Sequence, residues 1–232
     1  MLRSTVVLAV LAVVAHGLFE IPASLMTEEE LMAKYPLDSN AIMGLQCDDI
    51  SFTGCQSAFD QKLKLGDSVN HPYNWRNSSE LLTLITQMLK TRQGFYSCMG
   101  GNYLACVNRY YLLGKPGADW KTVMQYIQLY EHLDFLCNAG FEIAQPNWRC
   151  IAQTEGQNLT EINSCKNAFI TAGTNHHWQD LCDSNYVPNF ARCMQSVYKS
   201  TCGNEVGWYA CEDTRVGFRR DCFNSDFRCH PY

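Results

Sequence analysis

The sequence lacks the marks of most familiar activities. It has no Gly-x-Ser-x-Gly elbow, no phosphate-binding loop, no His-Glu-x-x-His and no calcium-binding EF-hand loop. It has no close Cys-x-x-Cys pair, so zinc ribbons and thioredoxin-like redox sites are excluded. It lacks a basic excess: 18 Lys and Arg stand against 23 Asp and Glu, for a formal charge of −5. General nucleic-acid binding needs a basic footprint, and the acidic balance argues against it. No apolar run reaches the length of a membrane-spanning helix. Alternating strand patterns are missing too.

Cysteine is abundant instead. Its 13 residues stand at Cys47, Cys55, Cys98, Cys106, Cys137, Cys150, Cys165, Cys182, Cys193, Cys202, Cys211, Cys222 and Cys229. In a reducing cytosol so many thiols imply metal sites; spread through helices, they imply staples in an oxidising compartment. Thirteen is odd, so at least one has no intramolecular partner. Cys229, close to the end, is a candidate for a bond between chains, or for pairing with Cys222 or Cys211. Connectivity does not follow from spacing.

The N-terminus explains the compartment. Arg3, the apolar run Val6–Val14 and the small residues of Ala15-His16-Gly17 read as a secretory signal peptide over 1–17, cleaved after Gly17. Asn77 (Asn77-Ser78-Ser79) and Asn158 (Asn158-Leu159-Thr160) are sequons, expected as glycan sites on exposed loops. The expected product is secreted, extracellular and not membrane-spanning.

Helical spacing dominates the rest. Thr27 and Glu30 make a capping box for a short helix to Tyr35, in an N-terminal extension over 18–46. Helices are expected over 47–65, 79–93 (stopped by Gly94), 102–113 and 119–139, the last with an inward stripe of Val123, Ile127, Tyr130, Leu133 and Cys137 and a left-handed cap at Gly140. A Pro- and Asn-containing break is expected over 145–158, then helices over 160–172, 188–200 and 204–213. The fold class is all-α: a loop-rich, disulfide-stapled helical domain over 47–229, with two halves near 47–140 and 150–229. Cys55-Gln56-Ser57-Ala58-Phe59 echoes Cys165-Lys166-Asn167-Ala168-Phe169; five positions alone do not make a repeat.

Candidate chemistry is sparse. His176, His177, Asp180, Cys182 and Asp183 form the densest polar cluster and the best clue to a hydrolase. Asp48-Asp49 and Glu212-Asp213 are carboxylate pairs, but helix neighbours do not face each other. Glu131, His132 and Asp134 read as a solvated helix face. No catalytic, cofactor or metal residue is assigned, and no cofactor is expected. Five Trp, 12 Tyr and 11 Phe, with Tyr103, Tyr110, Tyr111, Tyr126 and Tyr130 close in sequence, suit a core or a pocket for an apolar ligand. Arg215, Arg219, Arg220 and Arg228 form one basic concentration, either a solvated face or a contact for an anionic surface.

Cys165-Lys166-Asn167-Ala168-Phe169, then Cys182, Cys193 and Cys202-Gly203-Asn204-Glu205-Val206, resembles the cysteine-rich domain of unknown function widespread in secreted nematode proteins. Similar chains occur among invertebrate extracellular and shell-matrix proteins. The resemblance spans about residues 47–211; Cys222, Cys229 and the odd count depart from it. It implies fold and secretion and carries over no catalytic residue.

The residues therefore point to a secreted, non-enzymatic protein with a binding or matrix role, its protein or glycan partner unidentified. A carrier of a small apolar ligand and an unrecognised secreted hydrolase are the alternatives. A disulfide-linked dimer is one expected assembly.

Overall fold

The computed structural model describes residues 46–63, 78–118, 120–173, 186–219, 222 and 225–231. The expected signal peptide, the 27–35 helix, Asn77 and the His176–Asp183 cluster lie outside them. Among the described residues every regular element is helical: α1 (Asp49–Leu63), α2 (Ser78–Met99), α3 (Tyr103–Cys106), α4 (Arg109–Leu113), α5 (Trp120–Cys137), α6 (Phe141–Gln157), α7 (Leu159–Gly173), α8 (Tyr186–Cys202) and α9 (Asn204–Gly217). The fold is all-α and disulfide-stapled. The chain divides into two compact units, 46–127 and 128–231, at a point inside α5.

In the first unit α1 packs on α2. Asp48 caps α1: its Oδ1 accepts from the Ile50 and Ser51 amides at 3.0 and 3.3 Å. Cys55–Cys98 joins the two helices, and Cys47–Cys106 closes a wider loop around them. Phe59, Phe95 and Tyr103 stack edge to face between, at 5.4 and 6.2 Å. Gly94 does not stop α2, which continues to Met99. A lone glycine costs about 1 kcal/mol in a helix, and the burial of Thr91, Phe95 and Met99 on one stripe outweighs it.

In the second unit α8 and α9 are the most intimately packed pair, with α6 and α7 against them. Along α8, Val187, Phe190, Ala191, Met194 and Tyr198 are buried at helical spacing. Pro188 falls in the first turn, where its missing N–H is not needed. Gly203 alone links α8 to α9, and its φ of 90° requires glycine. Cys165–Cys193 joins α7 to α8, and Cys150–Cys202 joins α6 to α8.

Two expectations fail here. The break over 145–158 does not exist: α6 runs through Pro146. Proline disfavours a helix interior by about 3 kcal/mol, but Ala144, Trp148, Ile151 and Thr154 form a buried stripe and Cys150 is stapled, so tertiary packing holds the helix. Gly140 is not left-handed either; at φ −84° it begins α6 after a three-residue turn. A Cβ there would lie 2.8 Å from the Phe135 ring and 2.9 Å from Tyr209. Close packing, rather than backbone hand, is why glycine stands at 140.

The echo between the units extends beyond five residues. Each unit carries a nested pair of disulfides, with Cys55–Cys98 inside Cys47–Cys106 and Cys165–Cys193 inside Cys150–Cys202. In each, the inner bond ends at a Cys-Met pair (Cys98-Met99, Cys193-Met194) with a tyrosine five residues after the cysteine (Tyr103, Tyr198). Phe59 and Phe169, Met99 and Met194, and Tyr103 and Tyr198 are all buried. The two units thus share one device, a staple between two helices nested in sequence within an outer one.

Candidate functional site

The C-terminal tail, residues 225–231, has no regular structure but is fixed at many points. Cys229 is bonded to Cys211 in α9. Its amide donates to Glu212 Oε1 at 3.3 Å. Gln195 Nε2, on α8, donates to the His230 carbonyl. The Arg192 guanidinium stacks 5.0 Å over the Phe227 ring. Beneath, Ala191, Cys211 and Cys229 form a small buried core with Trp208 and Phe227 against it.

Between this tail and α8 lies a cleft of about 580 Å³. Arg192, Gln195, Ser196 and Lys199 line one wall, and Asp226, Phe227, Arg228 and His230 line the other. The α8 residues fall at i, i+3, i+4 and i+7, so they share one face of the helix. Arg228 is oriented by its own tail: Nη1 donates to the Ser225 and Phe227 carbonyls at 3.0 and 2.9 Å. Among the described residues no carboxylate pairs with Arg192, Lys199 or Arg228.

That pairing pattern corrects the basic concentration expected at the C-terminus. Arg215 is neutralised by Glu212 in its own helix, at 2.9 and 2.6 Å. Arg219 pairs with Glu131 at 2.7 Å and approaches Asp134 at 3.8 Å. Arg220 lies outside the described residues. Of the three that are described, Arg228 lines the cleft, and its companions Arg192 and Lys199 come from a helix too distant in sequence for a composition window to join them.

A second polar group lies inside the second unit. His132 Nδ1 is 2.9 Å from Asp213 Oδ1, with the histidine 2% exposed. Glu155 accepts a hydrogen bond from the Tyr198 hydroxyl at 3.0 Å. Burial, with Asp213 adding to it, pushes the Glu155 carboxyl up to about 8. Burial raises Tyr198 and Tyr209 as well, and lowers the ammonium of Lys166. A His–Asp pair invites comparison with a hydrolytic dyad. Here the imidazole edge meets backbone: a Cβ on Gly217 would lie 2.8 Å from Nε2. A reacting hydroxyl or water needs that position, and α9 fills it. The pair is a buried structural link between α5 and α9. Glu131 and His132 are therefore not a solvated face, as their charge suggested; both are buried.

The other expected residues divide in the same manner. Asp48 caps α1, while Asp49 accepts from Tyr111 and Lys115 and is held below the usual carboxylate range by those bonds. Glu212 and Asp213 point to different partners. Tyr103 and Tyr130 are buried in cores, Tyr103 against Phe95 and Tyr96, while Tyr111 and Tyr126 are half-buried against Phe52. The Tyr110 side chain lies outside the described residues. Asn158 is not on a loop: it is the half-buried junction of α6 and α7, with Nδ2 donating to Thr201 Oγ1 at 3.2 Å.

Cys229 is not the odd cysteine. Cys222 is disulfide-bonded, Cys182 lies outside the described residues, and Cys137, half-buried at the end of α5, keeps its thiol. Among the described residues there is no group of His, Cys, Asp and Glu placed to hold a metal, and no helix is long and apolar enough to cross a membrane. No protein-family model, curated protein or solved structure matches the chain.

Proposed function

We propose that this chain is a secreted, glycosylated, non-enzymatic extracellular protein that acts by binding, and that the cleft between α8 and the tail is its ligand surface. The observation that carries the reading is the set of five disulfides among the described residues, which staple helices and tail within each unit. Each contributes about 2–4 kcal/mol, so together they rival the whole stability of an ordinary domain, about 5–15 kcal/mol. Such a fold depends on an oxidising compartment, which the 1–17 leader supplies.

The binding role draws on the cleft. It is concave, of a size suited to small ligands or polymer segments, and its irregular wall is held rigid by the Cys211–Cys229 bond. The apolar-carrier alternative draws less support, because three cations line the cleft and the described clustered tyrosines pack on neighbouring aromatic rings or are buried. The hydrolase alternative rests on His176 and His177, outside the described residues.

The test is expression from the native N-terminus in eukaryotic cells. Protein in the medium beginning at Leu18, with a mass lowered by glycosidase, is the expected result. Retention of the uncleaved chain inside the cell contradicts the reading.

A further inference from the structure

We infer that the cleft is a binding site for tetrahedral oxyanion groups, sulfate or phosphate esters, carried on an extended ligand. The choice of an extracellular ligand rests on the secreted reading; the oxyanion chemistry rests on the cleft alone.

The argument begins with charge. The chain is acidic overall, and three of its other described cations are paired with carboxylates: Lys115 with Asp49, Arg215 with Glu212 and Arg219 with Glu131. Arg192, Lys199 and Arg228 are not, and all three line one cleft. Among the described residues, Asp226 is the single carboxylate in the lining. An anion entering the cleft would meet three cations that no carboxylate among the described residues neutralises.

Geometry narrows the ligand. Arg228 uses only Nη1 on the tail carbonyls, so Nη2 and Nε remain as donors on a guanidinium whose direction is already fixed. Arginine's planar fork matches a sulfate or phosphate oxygen pair, and a preset fork loses less freedom on binding. Arg192 is likewise steadied by the Phe227 ring. Lys199 stands two turns along α8 from Arg192, about 10 Å at 1.5 Å per residue. That spacing suits a ligand bearing two anionic groups along its length, with Gln195 and Ser196 between them as neutral hydrogen-bonding partners.

The experiment uses the oxidised, secreted full chain in calorimetric titrations with a heparin-derived hexasaccharide, with inorganic sulfate and with inorganic phosphate. Binding of the hexasaccharide, weakened by salt, is expected. Arg192→Gln and Lys199→Gln should each reduce affinity about tenfold, the scale of one charge-assisted hydrogen bond. Arg149→Gln, which removes the same charge from an exposed position on α6, should change nothing. Tighter binding of the hexasaccharide than of either free ion supports a polymer-borne ligand. Equal binding, still lost in Arg192→Gln, supports an oxyanion site and removes the extended ligand. No binding by any probe, or loss equal in Arg149→Gln, overturns the inference while leaving secretion, and the reading built on it, untouched.

Discussion

Cys211 and Cys229 are bonded with their Cα atoms 5.9 Å apart, and this bond converts the last residues of the chain into a wall of the cleft. Cys211 is fully buried in α9. The tail carries Phe227 and Arg228 because it is held there, since nothing in its own sequence forms a helix or strand.

Removing the bond with Cys211→Ala and Cys229→Ala should therefore uncouple the tail. The closed loop spans 18 residues, for which chain entropy gives a loss of about 3 kcal/mol. Helical circular dichroism should persist while the thermal midpoint falls and oxyanion binding disappears. Retained binding in the double variant would separate the cleft from the tail.

Glu155 makes stability depend on pH. Its carboxyl titrates near 8 in the folded chain, raised by burial and by Asp213 from an ordinary 4.5. The folded state thus holds this proton more tightly than the unfolded one. The resulting contribution is complete below about pH 4.5 and is lost as pH rises through about 8. Thermal midpoints should decline from pH 5 to pH 9, and Glu155→Gln should flatten that decline. A variant with the wild-type slope would remove Glu155 as its source. Lys166, its ammonium disfavoured by burial, works in the opposite sense and is left in place by this substitution.

Gly203→Ala tests the α8–α9 junction. A side chain at φ 90° is strained by about 1–3 kcal/mol. Gly207 tests the packing that follows: a Cβ there would lie 2.7 Å from Lys199 Cβ and 3.0 Å from the Gln195 carbonyl. Urea denaturation should show both variants destabilised, and Gly207→Ala should also weaken probe binding, because it displaces two residues of the cleft wall. Gly203→Ala with an unchanged midpoint would contradict the assigned backbone.

Much of this was legible in the sequence. The order of helices follows from apolar spacing, and the cysteine count implies staples. What stayed hidden has identifiable causes. Pro146 and Gly94 carry local penalties that tertiary burial overrides. Glu131 and His132 look solvated because charge normally means exposure, yet partners far along the chain, Arg219 and Asp213, make their burial tolerable. The cleft joins residues 192–199 to 226–230 through a disulfide whose pairing no spacing rule supplies. The nested staples were half visible, since the Cys-x-x-Ala-Phe echo could be read but its bonded partners could not.

Gln128 offers a further check. It is 1% exposed, and neither amide atom has a hydrogen-bond partner among the described residues. Burying such a group costs about 1–3 kcal/mol, so Gln128→Leu, similar in volume, should raise the thermal midpoint. A lowered midpoint would show that the amide is satisfied.

The central claim is an oxidised fold with defined staples, and non-reducing peptide mapping of the protein made in an oxidising compartment tests it most directly. The account predicts Cys47–Cys106, Cys55–Cys98, Cys150–Cys202, Cys165–Cys193 and Cys211–Cys229, with Cys137 alkylated without prior reduction. Cys229 joined to a second chain, or thiols alkylated throughout, would contradict it.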